Sequence, residues 1–91
     1  MGITLIKIKI MPSSPEVNLK KIEEKAKIII EKNKGTRINF VEEPIAFGLK
    51  AIIANFEQDE KDGELEPIEK DLRKIKEVNS VEVIDIRRAF G

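Results

Sequence analysis

Apolar residues recur along the chain with two periods, and the order of those periods predicts the elements. Ile6, Ile8 and Ile10 alternate with Lys7 and Lys9 and run into the break Pro12-Ser13-Ser14-Pro15, the pattern of a half-buried strand ending in a turn. A first strand is expected over Ile3 to Ile10. From Asn18, a side chain suited to capping a helix start, Leu19, Ile22, Ala26, Ile29 and Ile30 fall on one stripe at helical spacing, with Lys and Glu on the rest. This helix should end near Asn33 to Gly35.

Ile38 and Phe40 alternate cleanly with Arg37 and Asn39, as an edge strand would. After Glu43-Pro44, the run Leu49 to Glu57 carries apolar residues on both parities, which is expected of a central strand covered on two faces. A polar loop, Gln58 to Gly63, precedes Leu65, Ile68, Leu72 and Ile75 at three- and four-residue spacing. Pro67 falls in the first turn, where its missing N–H costs least, so a second helix is expected over Glu64 to Glu77. Val81, Val83, Ile84 and Ile86 make a fourth strand whose parity slips between Val83 and Ile84, the mark of a bulge or of contacts on both faces.

The order β-α-β-β-α-β, with right-handed crossovers, places both helices on one face of a four-stranded antiparallel sheet. This is an α+β, ferredoxin-like split β-α-β sandwich. The other sheet face is expected to stay open and to carry Ile3, Leu5 and Val83.

Ninety-one residues suffice for one compact domain spanning 1–91. Seventeen basic and seventeen acidic side chains cancel, so the chain lacks the sustained positive field that drives binding to nucleic acid or an anionic membrane. A local basic patch remains compatible with that balance. The absence of Cys and His removes disulfides, thiol nucleophiles, the common zinc ligands and the usual general base at neutral pH. Met1 to Ile10 is interrupted by Lys7 and Lys9 with no small-residue cleavage site after it, so it reads as neither signal peptide nor membrane span, and a cytoplasmic location is expected.

Glycine-rich phosphate loops and Gly-x-Ser-x-Gly elbows are absent, which argues against direct nucleotide binding and acyl-transfer chemistry. No cofactor is expected. The acidic stretch Asp59 to Glu64 has Lys61 where a calcium loop wants an oxygen ligand, so it reads as a solvated turn. RNA readers of this topology stack bases on aromatics of the central strands, and the first strand has none.

Two stretches carry more information. In Glu42-Glu43-Pro44-Ile45-Ala46-Phe47-Gly48-Leu49, Pro44 and Gly48 bracket large apolar residues in what should be a polar connection. A lone loop Phe is more often core than anchor, so residue type alone favours burial of Phe47. Arg87 and Arg88 precede the short tail Ala89-Phe90-Gly91. On pattern alone the two arginines read as charges that deter edge pairing.

Lys9-Ile10-Met11-Pro12 with Ser14-Pro15, then Glu43-Pro44-Ile45-Ala46-Phe47-Gly48-Leu49, then Glu82-Val83-Ile84-Asp85-Ile86-Arg87-Arg88, together resemble the archaeal elongation factor 1-beta family over essentially the whole chain. The resemblance implies a guanine nucleotide exchange factor for elongation factor 1-alpha, with no covalent catalytic site. It implies binding to the GDP-bound GTPase in a state with weakened magnesium and phosphate contacts. It also moves Phe47 from core to an anchor that inserts into the partner, held by Pro44 and Gly48 beside Ile45. Arg87, Arg88 and Phe90 become candidate partner-binding residues at the C-terminus. Eukaryotic relatives place a Lys there, near the partner's magnesium, whereas no Lys follows Lys76 in this chain. Alternating strand geometry is expected to point Arg87 and Arg88 to opposite faces.

Two other readings share the topology. A regulatory module could bind small metabolites between paired domains. An acylphosphatase-like hydrolase needs Arg and Asn near the first strand, and Pro12-Ser13-Ser14-Pro15 supplies neither.

Overall fold

The computed structural model describes residues 2–62 and 64–90, except the side chains of Asp62 and Phe90. The elements are β1 (Ile3–Pro12), α1 (Leu19–Lys32), β2 (Thr36–Ala46), β3 (Leu49–Asp59), a 3-10 turn (Glu60–Asp62), α2 (Glu66–Arg73) and β4 (Val78–Phe90). The strands form one antiparallel sheet in the order β2-β3-β1-β4, the expected ferredoxin-like arrangement. β3 is internal and β2 lies at an edge, as their apolar patterns require.

Period-two alternation in β1 sends Ile6, Ile8 and Ile10 to the helix side, opposite Phe56, Ala54 and Ile52 of β3. Ile22, Ala26 and Ile30 of α1, four residues apart on one stripe, close over them together with Ile68 and Leu72 of α2. All of these are at most 2% exposed. The other parity of β3 is also covered. Ala51 and Ile53 are buried on the opposite face, where Lys9 of β1 meets Glu43 of β2 at 4.0 Å across the intervening strand.

α1 starts where Asn18 accepts a hydrogen bond from the Lys20 amide at 3.0 Å, satisfying one of the free donors of a first turn. It ends as Gly35 donates back to the Ile30 carbonyl at 2.8 Å with Lys34 at φ 69, a Schellman closure. A Cβ on Gly35 would meet Ile30 Cγ2 at 2.2 Å, so close packing fixes that residue.

Several boundaries differ from the expectation. α2 is shorter than Glu64 to Glu77. Leu65 occupies its N-cap without a side-chain acceptor, and beyond Arg73 the backbone tightens into i→i+3 bonds from Lys74 and Ile75 that still bury Ile75. β4 starts earlier, and its parity slip is a bulge: Lys7 faces Asp85 while Ile8 faces Val83, leaving Ile84 as the extra residue. Val83 therefore sits on the helix side with Ile8 and packs against the core, not on the open face. Ile3 and Leu5 do share the face away from the helices, with Leu5 39% exposed.

The stretch around Pro44 is a strand rather than a connection. β2 continues through Pro44 to Ala46, and only Phe47 and Gly48 form the turn to β3. Pro44 is tolerated because β2 is an edge and because Ile45 beside it is an extra residue in the ladder, between the pairs Pro44–Lys50 and Ala46–Leu49.

Candidate partner-binding surfaces

Two-residue hairpins match the right-handed twist of their strands through primed turns, and the type I′ form takes positive φ at both central residues. Phe47 has φ 53 and Gly48 has φ 79. Glycine takes that region freely, whereas a bulky aromatic is strained in it. Nothing lies within 4 Å of a Cβ built on Gly48, so its conformation, not crowding, calls for glycine. The Phe47 side chain is 100% exposed, which answers the core-or-display question for the free chain. Ile45 is 40% exposed one bulge away, and Pro44 is exposed beside it.

Beneath the tip, on the helix side, a hollow of about 400 Å³ is lined by Pro12, Pro15, Val17, Leu19, Glu42 and Lys50. Lys50 and Glu42 pair across its wall at 3.8 Å. The hollow arises because the hairpin projects past the β1–α1 loop, a relation that local spacing does not encode.

The C-terminal candidates lie at the other end of the sheet. Ile3 faces Phe90 and Thr4 faces Arg88, while Lys50 pairs with Pro44 near the hairpin tip. At about 3.3 Å per residue the two ends stand about 30 Å apart, in a molecule 42 Å long. Arg87 sits opposite Leu5 on the open face, and its Nε lies 2.9 Å from Asp85. Arg88 sits opposite Thr4 on the helix side and hydrogen-bonds the Glu60 carboxylate at 2.5 Å. The two arginines thus point to opposite faces.

The Arg88 hydrogen bond holds the Glu60 carboxyl below its ordinary range. The same bond raises the Arg88 guanidinium. Sequence reasoning missed Glu60, which reaches Arg88 through strand order rather than sequence proximity. The Phe90 side chain, also a candidate, lies outside the described residues. Pro44, Ile45, Phe47 and Gly48 therefore gather at one end, and Arg87 and Arg88 at the other. Among the described residues no His, Cys, Asp and Glu cluster suited to a metal ion occurs, and no helix is long and apolar enough to cross a membrane.

Residues 5–89 match the EF-1 guanine nucleotide exchange domain, a span that includes the hairpin tip and both arginines. The chain belongs to this family. It is similar to "Elongation factor 1-beta" of Methanocaldococcus jannaschii, with 47% identity over 89 residues, covering 98% of this chain and 100% of the relative. Proteins of the same name from Methanococcus aeolicus and Methanosarcina barkeri are each 41% identical, covering 94% and 97% of this chain and 97% and 99% of their own lengths. The chain's role is accordingly guanine nucleotide exchange in translation elongation.

Proposed function

We propose that this chain works in the cytoplasm on an elongation factor 1-alpha GTPase, as one exchange unit spanning residues 1–91. It binds the GDP-loaded partner and favours a state whose magnesium and phosphate contacts are weakened. GDP then leaves and GTP replaces it. The observation that carries the reading is Phe47, a fully exposed aromatic held at positive φ on the tip of a projecting hairpin. A side chain so placed adds nothing to the core and carries backbone strain, and such strain persists where function uses the geometry.

Phe47 is the anchor, with Ile45 and Pro44 extending the apolar contact and Gly48 keeping the turn. The C-terminal strand, about 30 Å away, supplies a second contact. There Arg87 or Arg88 docks a partner carboxylate through charge-assisted hydrogen bonds, with Phe90 beside them. Arg is a planar donor rather than a compact point charge, so these residues position the factor, and displacement of the magnesium-side loops drives release. Nothing in this scheme requires nucleotide, nucleic acid or membrane to touch the chain. Linkage makes the effect reciprocal: if the factor weakens nucleotide binding, bound nucleotide weakens factor binding equally.

The test is release of fluorescent GDP from the cognate GTPase with and without this protein. Accelerated release with an unchanged final GDP-to-GTP ratio is expected, because a factor that departs cannot alter the equilibrium. An unchanged rate at saturating protein would refute the proposal.

A further inference from the structure

The layer of helices carries a surface that the exchange reading does not use. Ile28 of α1 is 65% exposed, although a β-branched apolar residue on the wet side of a helix adds little to core or helix propensity. It lies with Ile29 and Ile75 along a shallow groove, open to solvent, between α1 and the end of α2. Helical spacing puts Lys21, Lys25, Ile28 and Lys32 on one stripe of α1. Lys74 and Lys76 line the opposite wall.

The rim is strongly biased in charge, in a chain whose net charge is zero. Five lysines face Asp71 and Glu77. Lys25 is held by Glu77 at 3.2 Å, and Lys74 lies 4.0 Å from Asp71. Lys32 and Lys76 make no ion pair among the described residues, and Lys21 acts on the Glu77 carboxylate through charge without a close contact. Glu24 and Glu31 lie on the far side of Ile28 by the same helical spacing, so the basic strip is confined to the side toward α2.

We propose that this α1–α2 groove docks an acidic amphipathic protein segment, with aliphatic side chains on Ile28, Ile29 and Ile75 and carboxylates against the flanking lysines. An apolar floor with a basic rim fits an apolar stripe flanked by Asp and Glu. RNA fits it less well, because the floor has no aromatic ring on which a base could stack. No residue of the groove belongs to the hairpin tip or the C-terminal strand, so the proposal stands independently of how the GTPase is bound.

The test is amide chemical-shift mapping of the intact chain with a synthetic helical peptide bearing a leucine stripe flanked by glutamates. Parallel samples contain the same peptide with lysines for glutamates, a single-stranded RNA oligonucleotide, and vesicles of phosphatidylglycerol and phosphatidylcholine. Saturable shifts confined to residues 21–32 and 71–77, weakened by salt, are expected from the acidic peptide alone. Ile28→Glu should weaken binding at least about tenfold with the circular dichroism spectrum retained, because the side chain is exposed. Lys21→Glu with Lys32→Glu should weaken it as well. Absence of shifts at millimolar acidic peptide would overturn the proposal. So would equal binding of the lysine peptide, or engagement of the groove by RNA or vesicles in place of the acidic peptide.

Discussion

The two ends of the sheet present their candidate contacts in different states. At the hairpin tip Phe47 has nothing to release before it binds, since its side chain is wholly exposed and its direction is set by two positive-φ residues. At the C-terminal end Arg87 and Arg88 are already engaged, with Asp85 and Glu60. An exposed anchor on a fixed turn converts its burial into affinity with little ordering cost. An arginine that must exchange one carboxylate for another gains only the difference between them, and exposed pairs are individually weak. The tip should therefore dominate affinity, while the C-terminal end adjusts orientation.

The largest expected effect tests the tip. Phe47→Ala should weaken GTPase binding by about 2 kcal/mol or more, about thirtyfold in Kd, with the melting temperature unchanged or slightly raised. Loss of affinity accompanied by a large fall in melting temperature would show that Phe47 supports the fold instead. A second substitution separates strain from contact. Phe47→Asn installs the Asn-Gly pair that primed turns favour, and relief of the left-handed conformation should stabilise the chain by about 1 kcal/mol. The melting temperature should then rise by about 5 °C while partner binding falls as it does for Phe47→Ala. An unchanged melting temperature would show that the turn carries no strain.

The contrast between the ends also marks what could be read from the chain. Element order, the central place of β3, the edge character of β2 and the irregularity at Val83 and Ile84 all follow from parity, because burial on one or both sheet faces writes itself into alternate residues. The end of α2 was not legible, since Leu72 and Ile75 keep helical spacing across a tighter turn that buries Ile75 equally well. Pro44 suggested a loop because a missing donor matters only on a strand's bonded side, and strand order decides which side that is. Exposure of Phe47 was equally hidden from residue type. The motif containing it drew attention to the tip, but display depends on how far β2 and β3 extend past their neighbours. Glu60 and Arg88 lie 28 positions apart and meet only through register, so no local signal could pair them.

The next effect is smaller and concerns the C-terminal end. Arg87→Glu and Arg88→Glu should reduce exchange unequally, because the side chains occupy opposite faces and at most one faces a given site on the partner. The larger loss should be about 1 kcal/mol and should appear in affinity rather than in the maximal exchange rate, as expected of a docking contact. Equal losses would show that only net charge matters. If both reversals leave exchange untouched, the arginines serve only to deter edge pairing and the second contact is absent.

The smallest effect bears on whether Arg88 is truly engaged in the free chain. Its hydrogen bond depresses the Glu60 carboxyl, so the folded state gives up that proton more readily than the unfolded chain does. The resulting stabilisation is fully present above the unfolded-state value and is lost as pH falls through the depressed folded value. Carboxyl chemical shifts should place Glu60 below the ordinary glutamate range, and Arg88→Ala should restore it. Glu77 provides an internal control: its carboxyl is lowered chiefly by the Lys25 hydrogen bond, and Arg88→Ala should leave it unmoved. Urea midpoints of the parent chain and Arg88→Ala should differ slightly at neutral pH and converge in acid, since both members of the pair are exposed and solvent screens them. An ordinary Glu60 titration in the parent chain would mean that Arg88 is as free to bind as Phe47. The two ends would then differ in chemistry but not in readiness, and the expected ranking of their contributions to affinity would lose its basis.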